Sequence, residues 1–182
     1  MAIKMGLPQL NYAFKRPFRH IFSVPTVCGN PEKDGLACKL NEKSARPNIG
    51  FKEIEVQHLG QTITFPGKVT FETINITLFD TIPGNGKRDV VTNPVWIWMN
   101  NWYNFYTGMY GSPVGLKKTC DVKLYDGCGN LVEKWVYENA FPINVNFGEL
   151  DMGAGQEVCT IELQLKYDRA YLVLTDSEYG KC

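Results

Sequence analysis

Apolar and polar positions alternate with a period of two over most of this chain, which is the signature of strands half-buried in a sheet. The clearest run is CTIELQLKYDRAY. There Cys159, Ile161, Leu163, Leu165 and Tyr167 share an inward face, and Thr160, Glu162, Gln164, Lys166 and Asp168 the outward one. Cys120, Val122 and Leu124 alternate in the same way with Asp121, Lys123 and Tyr125, and DGCGN predicts a turn into the strand LVEKWVY. That strand is expected to give way to a loop at NAFPINVNFGELDMGAG, broken by Pro142 and several glycines. Near the start, FRHIFSVP predicts a strand from Phe18 to Val24. EIEVQHLGQTITF predicts two strands around a turn at Gly60. Ile54, Val56, Ile63 and Phe65 form a face that wants a core; Glu53, Glu55, Gln57, Thr62 and Thr64 form one that wants water. VTFETINITLFD follows as a strand whose phase slips near Thr73, as at a bulge or a change of sheet.

One stretch carries a helical pattern. Asn93 supplies a cap, Pro94 suits the first position and Gly108 supplies a stop, so a helix is expected over 93–107. Val95, Trp98, Met99, Trp102 and Tyr106 fall on one face, and Trp96, Ile97 and Tyr103 widen the apolar arc. A well-buried helix accounts for that arc, and a partner-docking face is the competing reading. Residues 28–50 and the segment TIPGNGKRDVVTNP are turn-rich and read as long loops. GNGK lacks both the glycine spacing of a phosphate loop and the Ser or Thr after its Lys, where Arg88 stands, so it reads as a turn. Residues 1–17 form a basic and aromatic arm, and 173–182 a loose tail. The pattern predicts a mainly β domain over 1–182: two antiparallel sheets in a sandwich or barrel, one flanking helix and long loops.

Charge narrows the possible partners. Nineteen Lys and Arg balance nineteen Asp and Glu, so the basic excess of a protein that grips nucleic acid through phosphates is missing. Neither a signal-peptide pattern nor a membrane-spanning apolar run is present, which predicts synthesis in the cytoplasm and no membrane anchor. Cys28, Cys38, Cys120, Cys128, Cys159 and Cys182 are then expected to be reduced thiols, several of them buried. No CxxC pair is present and only His20 and His58 supplement the thiols, so neither a metal nor any other cofactor is expected. No nucleophile elbow or metalloprotease helix occurs, and Glu53 with Glu55 reads as a solvated strand face rather than a catalytic pair. The inventory of strands, aromatic helix and long loops suits assembly, not catalysis.

Those same residues carry a family resemblance. ARPNIGFKEIEVQHLGQTITFPGKVTFETINITLFD resembles a signature of the tail tube proteins of contractile-tailed bacteriophages, a superfamily that includes type VI secretion tubes. Its elements here are Pro47 to Gly50, the hairpin to Phe65, Gly67-Lys68, and the aromatic strand from Val69 to Asp80. KLYDGCGNLVEKWVYENAFPINVNFGELDMGAGQEVCTIELQLKYDRAY is similar to the second signature in its NAFP element, Glu149-Leu150 and final Tyr-Asp strand. The helix with Trp102 lies between the two blocks, and the likeness covers about residues 17–172. The Cys28–Ala45 loop, the GNGKRD insertion and the N-terminal arm depart from the pattern.

The resemblance implies a tail-tube fold, assembled as homo-hexameric rings that stack into a hollow tube with strands paired between neighbours. It also implies a virion tail assembled in the host cytoplasm, with a sheath protein, a baseplate tube-initiator and a tape-measure protein as partners. DNA would pass through without specific binding, so Glu53, Glu55, Gln57, Thr62 and Thr64 are expected to face the lumen. Pro47, Asn48, Ile49 and Gly50 are expected at contacts between rings. Trp98, Met99, Trp102 and Tyr106 are expected in the core or toward the sheath. Injection-system or type VI tubes carrying protein cargo are the alternative within the same architecture.

Overall fold

A computed structural model describes residues 15, 19–24, 41–81, 91–153 and 158–173. The N-terminal arm apart from Lys15, most of the 28–50 loop, the GNGKRD segment and the C-terminal tail beyond Val173 lie outside the described residues. The chain is mainly β. Its strands are β1 (His20–Ser23), β2 (Asn41–Lys43), β3 (Ile49–His58), β4 (Gln61–Phe71), β5 (Ile74–Phe79), β6 (Tyr103–Asn104) and β7 (Met109–Tyr110). β8 (Lys118–Tyr125), β9 (Leu131–Asn146), β10 (Thr160–Lys166) and β11 (Arg169–Val173) complete the set. Helix α1 spans Thr92–Asn100, and α2 (Pro113–Leu116) is a single turn.

Seven strands hydrogen-bond into one antiparallel sheet ordered β1-β8-β9-β10-β5-β2, with β11 also on β9. β9 is the spine. Its first part pairs with β8 and β11, and its end, from Phe141, pairs with β10 alone. β10 and β11 lie in succession along the same strand, so both bend together, at Asn139 (φ 55°) on one side and at Tyr167 and Asp168 on the other. The bend folds the sheet into two facing limbs, which is how a continuous sheet yields the expected two-layered arrangement. Asn41 draws the far edges together: its buried side chain accepts from the Phe22 N–H at 3.3 Å, joining β2 to β1.

The core lies where the alternating faces meet. Ile74, Ile76 and Leu78 of β5, Cys120 and Val122 of β8, and Ile161, Leu163 and Leu165 of β10 are buried as their period predicts. α1 covers one side with Val95 and Trp98, and the fully buried Trp98 indole donates to the Leu116 carbonyl at 2.6 Å. Phase slippage at Thr73 marks a change of sheet: β4 belongs to a separate hairpin, β5 to the main sheet.

Several sequence expectations need correction. The strand expected to end before Pro142 runs on to Asn146. The irregularity between Gln164 and Leu165, beside the Leu165–Pro142 pair, takes up a residue that cannot donate to the ladder. The 28–50 loop already contains β2 and the start of β3. The helix expected over 93–107 begins at Thr92 and stops at Asn100, and Asn93 is not its cap; Val91 holds that position without a side-chain bond. Asn100 and Asn104 explain the early stop. Asn100 Oδ1 accepts from the Phe105 N–H, and Asn104 Oδ1 from the Tyr106 and Thr107 N–H groups, so the backbone turns away into β6 and β7. Cys159 is exposed rather than inward-facing. Cys128, on the exposed turn after β8, is disulfide-bonded and not a reduced thiol. Cys120 does fit expectation: burial, then the Asp121 carboxylate, push its thiol far above the ordinary range, so it stays protonated and inert.

Candidate functional site

The feature that the core does not explain is the β3–β4 hairpin. Among the described residues it is a two-stranded sheet of its own, β3 pairing with β4 alone. Leu59 (φ 49°) and Gly60 (φ 78°) make the two-residue turn, with both residues in the left-handed region that a tight hairpin requires. Register sets the faces. Glu55 opposes Thr64, Gln57 opposes Thr62 and Glu53 opposes Pro66, so the five expected lumen residues share one side. Ile54 opposes Phe65 and Val56 opposes Ile63 on the other. The sequence led us to expect a core against that second face. None of the described residues supplies one: Ile54, Val56, Ile63 and Phe65 keep between 44% and 52% of their surface exposed. A single hairpin cannot bury either face by itself, so the chain leaves an apolar surface uncovered.

A bulge divides the hairpin. Between the Phe51–Val69 and Glu53–Pro66 pairs the register shifts, with Gly67 and Lys68 set against Lys52. Gly67 is dictated by crowding: a Cβ there would lie 2.8 Å from the Lys52 carbonyl oxygen and 2.9 Å from Ile54 Cγ1. Below the bulge Ile49, Phe51, Val69 and Phe71 occupy the side that bears the acidic residues nearer the tip.

The hairpin is free at its tip and fixed at its root. Asn48 donates to Glu72 at 2.5 Å, Lys166 donates to the Phe71 carbonyl at 2.8 Å, and Phe71 packs on Tyr167 with ring centres 5.7 Å apart. Tyr137 donates its hydroxyl to the Ala45 carbonyl at 2.8 Å. Glu133 of β9, its carboxylate 7% exposed, takes Arg46 at 3.2 Å and Lys15 at 2.5 Å, and also accepts from the Trp135 indole. Burial opposes the charge on Glu133. The Lys15 ammonium, the indole N–H and the Arg46 guanidinium outweigh it and hold the carboxyl below the usual glutamate range.

The other residues singled out in the sequence fall in different places. Pro47 to Gly50 lead from this root into β3, with Asn48 and Ile49 exposed. Trp98 belongs to the core, Met99 and Trp102 are half-buried, and Tyr106, which lies beyond the helix, is 86% exposed. Sequence reasoning missed Glu133, Arg46 and Tyr137, because their partners are remote in the chain and no local period marks them. It also missed the β6–β7 hairpin, for which the paired Asn100 and Asn101, Asn104 and Gly108 were the available signal. Among the described residues no group of His, Cys, Asp and Glu is arranged to hold a metal, and no helix is long and apolar enough to cross a membrane.

Comparison with known proteins agrees with this architecture. No protein-family profile matches the chain. It is 25% identical over 158 residues to the tail tube protein of Serratia phage KSP90, covering 84% of each chain. Its fold is similar to the sheath/tube terminator of the extracellular contractile injection system PVC in the extended state. That match has a TM-score of 0.61 at 18% identity, covering 91% of this chain and 99% of that one. It is also similar to a chain of the PVC sheath-tube complex (TM-score 0.56, 20% identity, 91% and 95% covered). The Hcp1 protein of the E. coli EAEC 042 pathovar matches with a TM-score of 0.51 at 10% identity, covering 87% of this chain and 92% of that one.

Proposed function

We propose that the chain is a structural protein of the tail-tube superfamily of contractile systems and, within it, the tail tube subunit of a contractile-tailed phage, a reading supported by its likeness to a phage tail tube protein and to contractile-system folds. Six copies close into a ring, and rings stack into a hollow tube within a contractile sheath. The tube conducts the genome and the tape-measure protein into the host. Subunits are made in the host cytoplasm and end in the virion tail. There the baseplate tube-initiator nucleates them and the sheath surrounds them. The observation that carries this reading is the β3–β4 hairpin, rigidly rooted yet uncovered on its apolar side. Such a surface is stable in water only when a neighbour completes it.

Glu53, Glu55, Gln57, Thr62 and Thr64 face the lumen, where acidic and neutral groups repel or ignore phosphate and let DNA slide. Pro47, Asn48, Ile49 and Gly50 serve contacts between rings, and the α1 side, with Met99, Trp102 and Tyr106, lies toward the sheath. Negative-stain images of the purified chain should show rings or tubes; solitary compact particles at high concentration would overturn the reading. Tubes carrying Glu53→Lys and Glu55→Lys should keep their shape but retain DNA in a salt-dependent way. Retention no stronger than in the parent would remove these residues from the lumen.

A second reading, the inner tube of an injection system with protein cargo, is favoured by the likeness to the PVC chains. The sequence similarity to a phage tube protein over 84% of each chain supports the phage reading instead. Isolating the native particles discriminates: a DNA-filled head on the tube supports the phage, and a headless particle the injection system.

A further inference from the structure

Lys123 of β8 and Lys134 of β9 stand directly opposite each other, on the sheet face turned away from the core. Like charges in that position repel unless an anion lies between them. Asp121 is the anion: its Oδ2 takes Lys123 at 3.3 Å and Lys134 at 3.4 Å, and its Oδ1 accepts from the Ser23 hydroxyl of β1. One carboxylate between two ammonium groups leaves one positive charge unanswered among the described residues. Farther along the same face Glu138 is engaged by Arg169 at 3.9 Å. The two lysine side chains are 29% and 31% exposed, open enough to be reached and shielded enough to hold a second anion more firmly than bulk water would allow. Tyr171, partly exposed, lies across from Val136 on that face and gives the basic spot an aromatic border.

A segment of opposite character follows the far end of β9. Gly148 (φ 79°) turns the chain out of the strand, where a Cβ would lie 2.8 Å from the Thr160 carbonyl oxygen. Glu149, Leu150, Asp151 and Met152 then stand exposed, Leu150 by 89%. Asp151 accepts from the Gly153 N–H at 2.8 Å, which fixes the loop. Among the described residues neither Glu149 nor Asp151 has a cation partner. Lys134 lies near the start of β9 and Glu149 beyond its end, with the Asn139 bend between them, so the two surfaces belong to different limbs of the sheet. We infer that the Glu149–Met152 loop of one copy docks on the Lys123–Lys134 face of the next copy. Its carboxylates supply the missing negative charge, and Leu150 covers Tyr171. This rests on the tube reading and adds to it a contact made without the hairpin. Unlike patches on one chain give a head-to-tail interface, and their opposite charges set its register.

The test uses the full chain with Lys134→Glu, with Glu149→Lys plus Asp151→Lys, and with all three changes. The loop positions are exposed, and Lys134→Glu sets a carboxylate across from Lys123, so thermal melts of the unassembled variants should stay close to the parent. The face variant and the loop variant should each raise the protein concentration needed for assembly by about tenfold or more, because each sets like charges against one another. The triple variant should recover most of that loss, and assembly of the parent should weaken as salt rises. A loop variant that assembles like the parent, with the same salt dependence, overturns the inference and leaves the tube reading intact; this outcome is decisive even where Lys134→Glu lowers the melting temperature. Impairment of both variants without rescue in the triple places the two surfaces in separate contacts and overturns the pairing. A parent that never assembles removes the tube reading itself, and this contact with it.

Discussion

Two tyrosines, one on β9 and one at the bend between β10 and β11, show how far single residues differ in what they hold. Tyr137 and Tyr167 meet edge to face, ring centres 5.0 Å apart, and both are buried. Tyr137 spends its hydroxyl on the Ala45 carbonyl, whereas the Tyr167 hydroxyl has no hydrogen-bond partner among the described residues. Burial, then the Glu72 carboxylate, push the Tyr167 phenol above its ordinary range, so it keeps a proton that it cannot donate. Removing one oxygen from each therefore has opposite consequences. Tyr137→Phe should cost about 1 kcal/mol, while Tyr167→Phe should be neutral or stabilising by up to about 1 kcal/mol. Urea unfolding of the two variants beside the parent checks both signs. The alternation in LKY announced that Tyr167 faces inward, but no local period placed Tyr137, and nothing local said which hydroxyl would find an acceptor.

At the scale of elements, the hairpin was readable as two strands and a turn, and its faces were assigned correctly from period alone. Its bulge was not. Gly67 looked like family punctuation, and only the register shows a backbone approach that excludes a side chain. Gly67→Ala should therefore force the bulge open at a local cost of about 1–3 kcal/mol. Because the hairpin meets the main sheet at its root, around Phe71, and Gly67 lies beyond that contact, the main thermal transition should stay close to that of the parent. Amide exchange from Ile54 to Phe65 should accelerate, and assembly should weaken. An unchanged exchange pattern would mean that the strands absorb the methyl group. The helix teaches the complementary lesson. Its apolar arc was legible, yet its end was not, because asparagine side chains competing for backbone N–H groups decided it.

For the whole molecule, the decisive residue is Glu133, where Lys15, Arg46 before the hairpin root and β9 of the main sheet meet. Its folded carboxyl titrates below the ordinary glutamate value, so the stabilisation it gives is present above about pH 4.3. That stabilisation is lost as pH falls through the depressed folded value. Glu133→Gln should cost about 1–3 kcal/mol at neutral pH, less than a fully buried pair because Lys15 and Arg46 are half-exposed. The gap from the parent should narrow as the solution is acidified below about pH 4.3, where the parent's own carboxyl is neutralised. Unfolding curves at pH 7 and in that acid range test it; a gap independent of pH would assign the loss to packing instead.

The sequence by itself determined the β class, the inward faces of β8 and β10, the two faces of the hairpin and, through ordered motifs, the tail-tube resemblance. These are properties of short periods and local turns, which a linear text records completely. Tertiary structure decided that the apolar side of the hairpin stays uncovered and that β9 bends to serve both limbs of the sheet. It also decided that Glu133 ties together segments far apart in the chain. Each of these depends on what distant segments bring to the same place, and a period of two carries no information about distance.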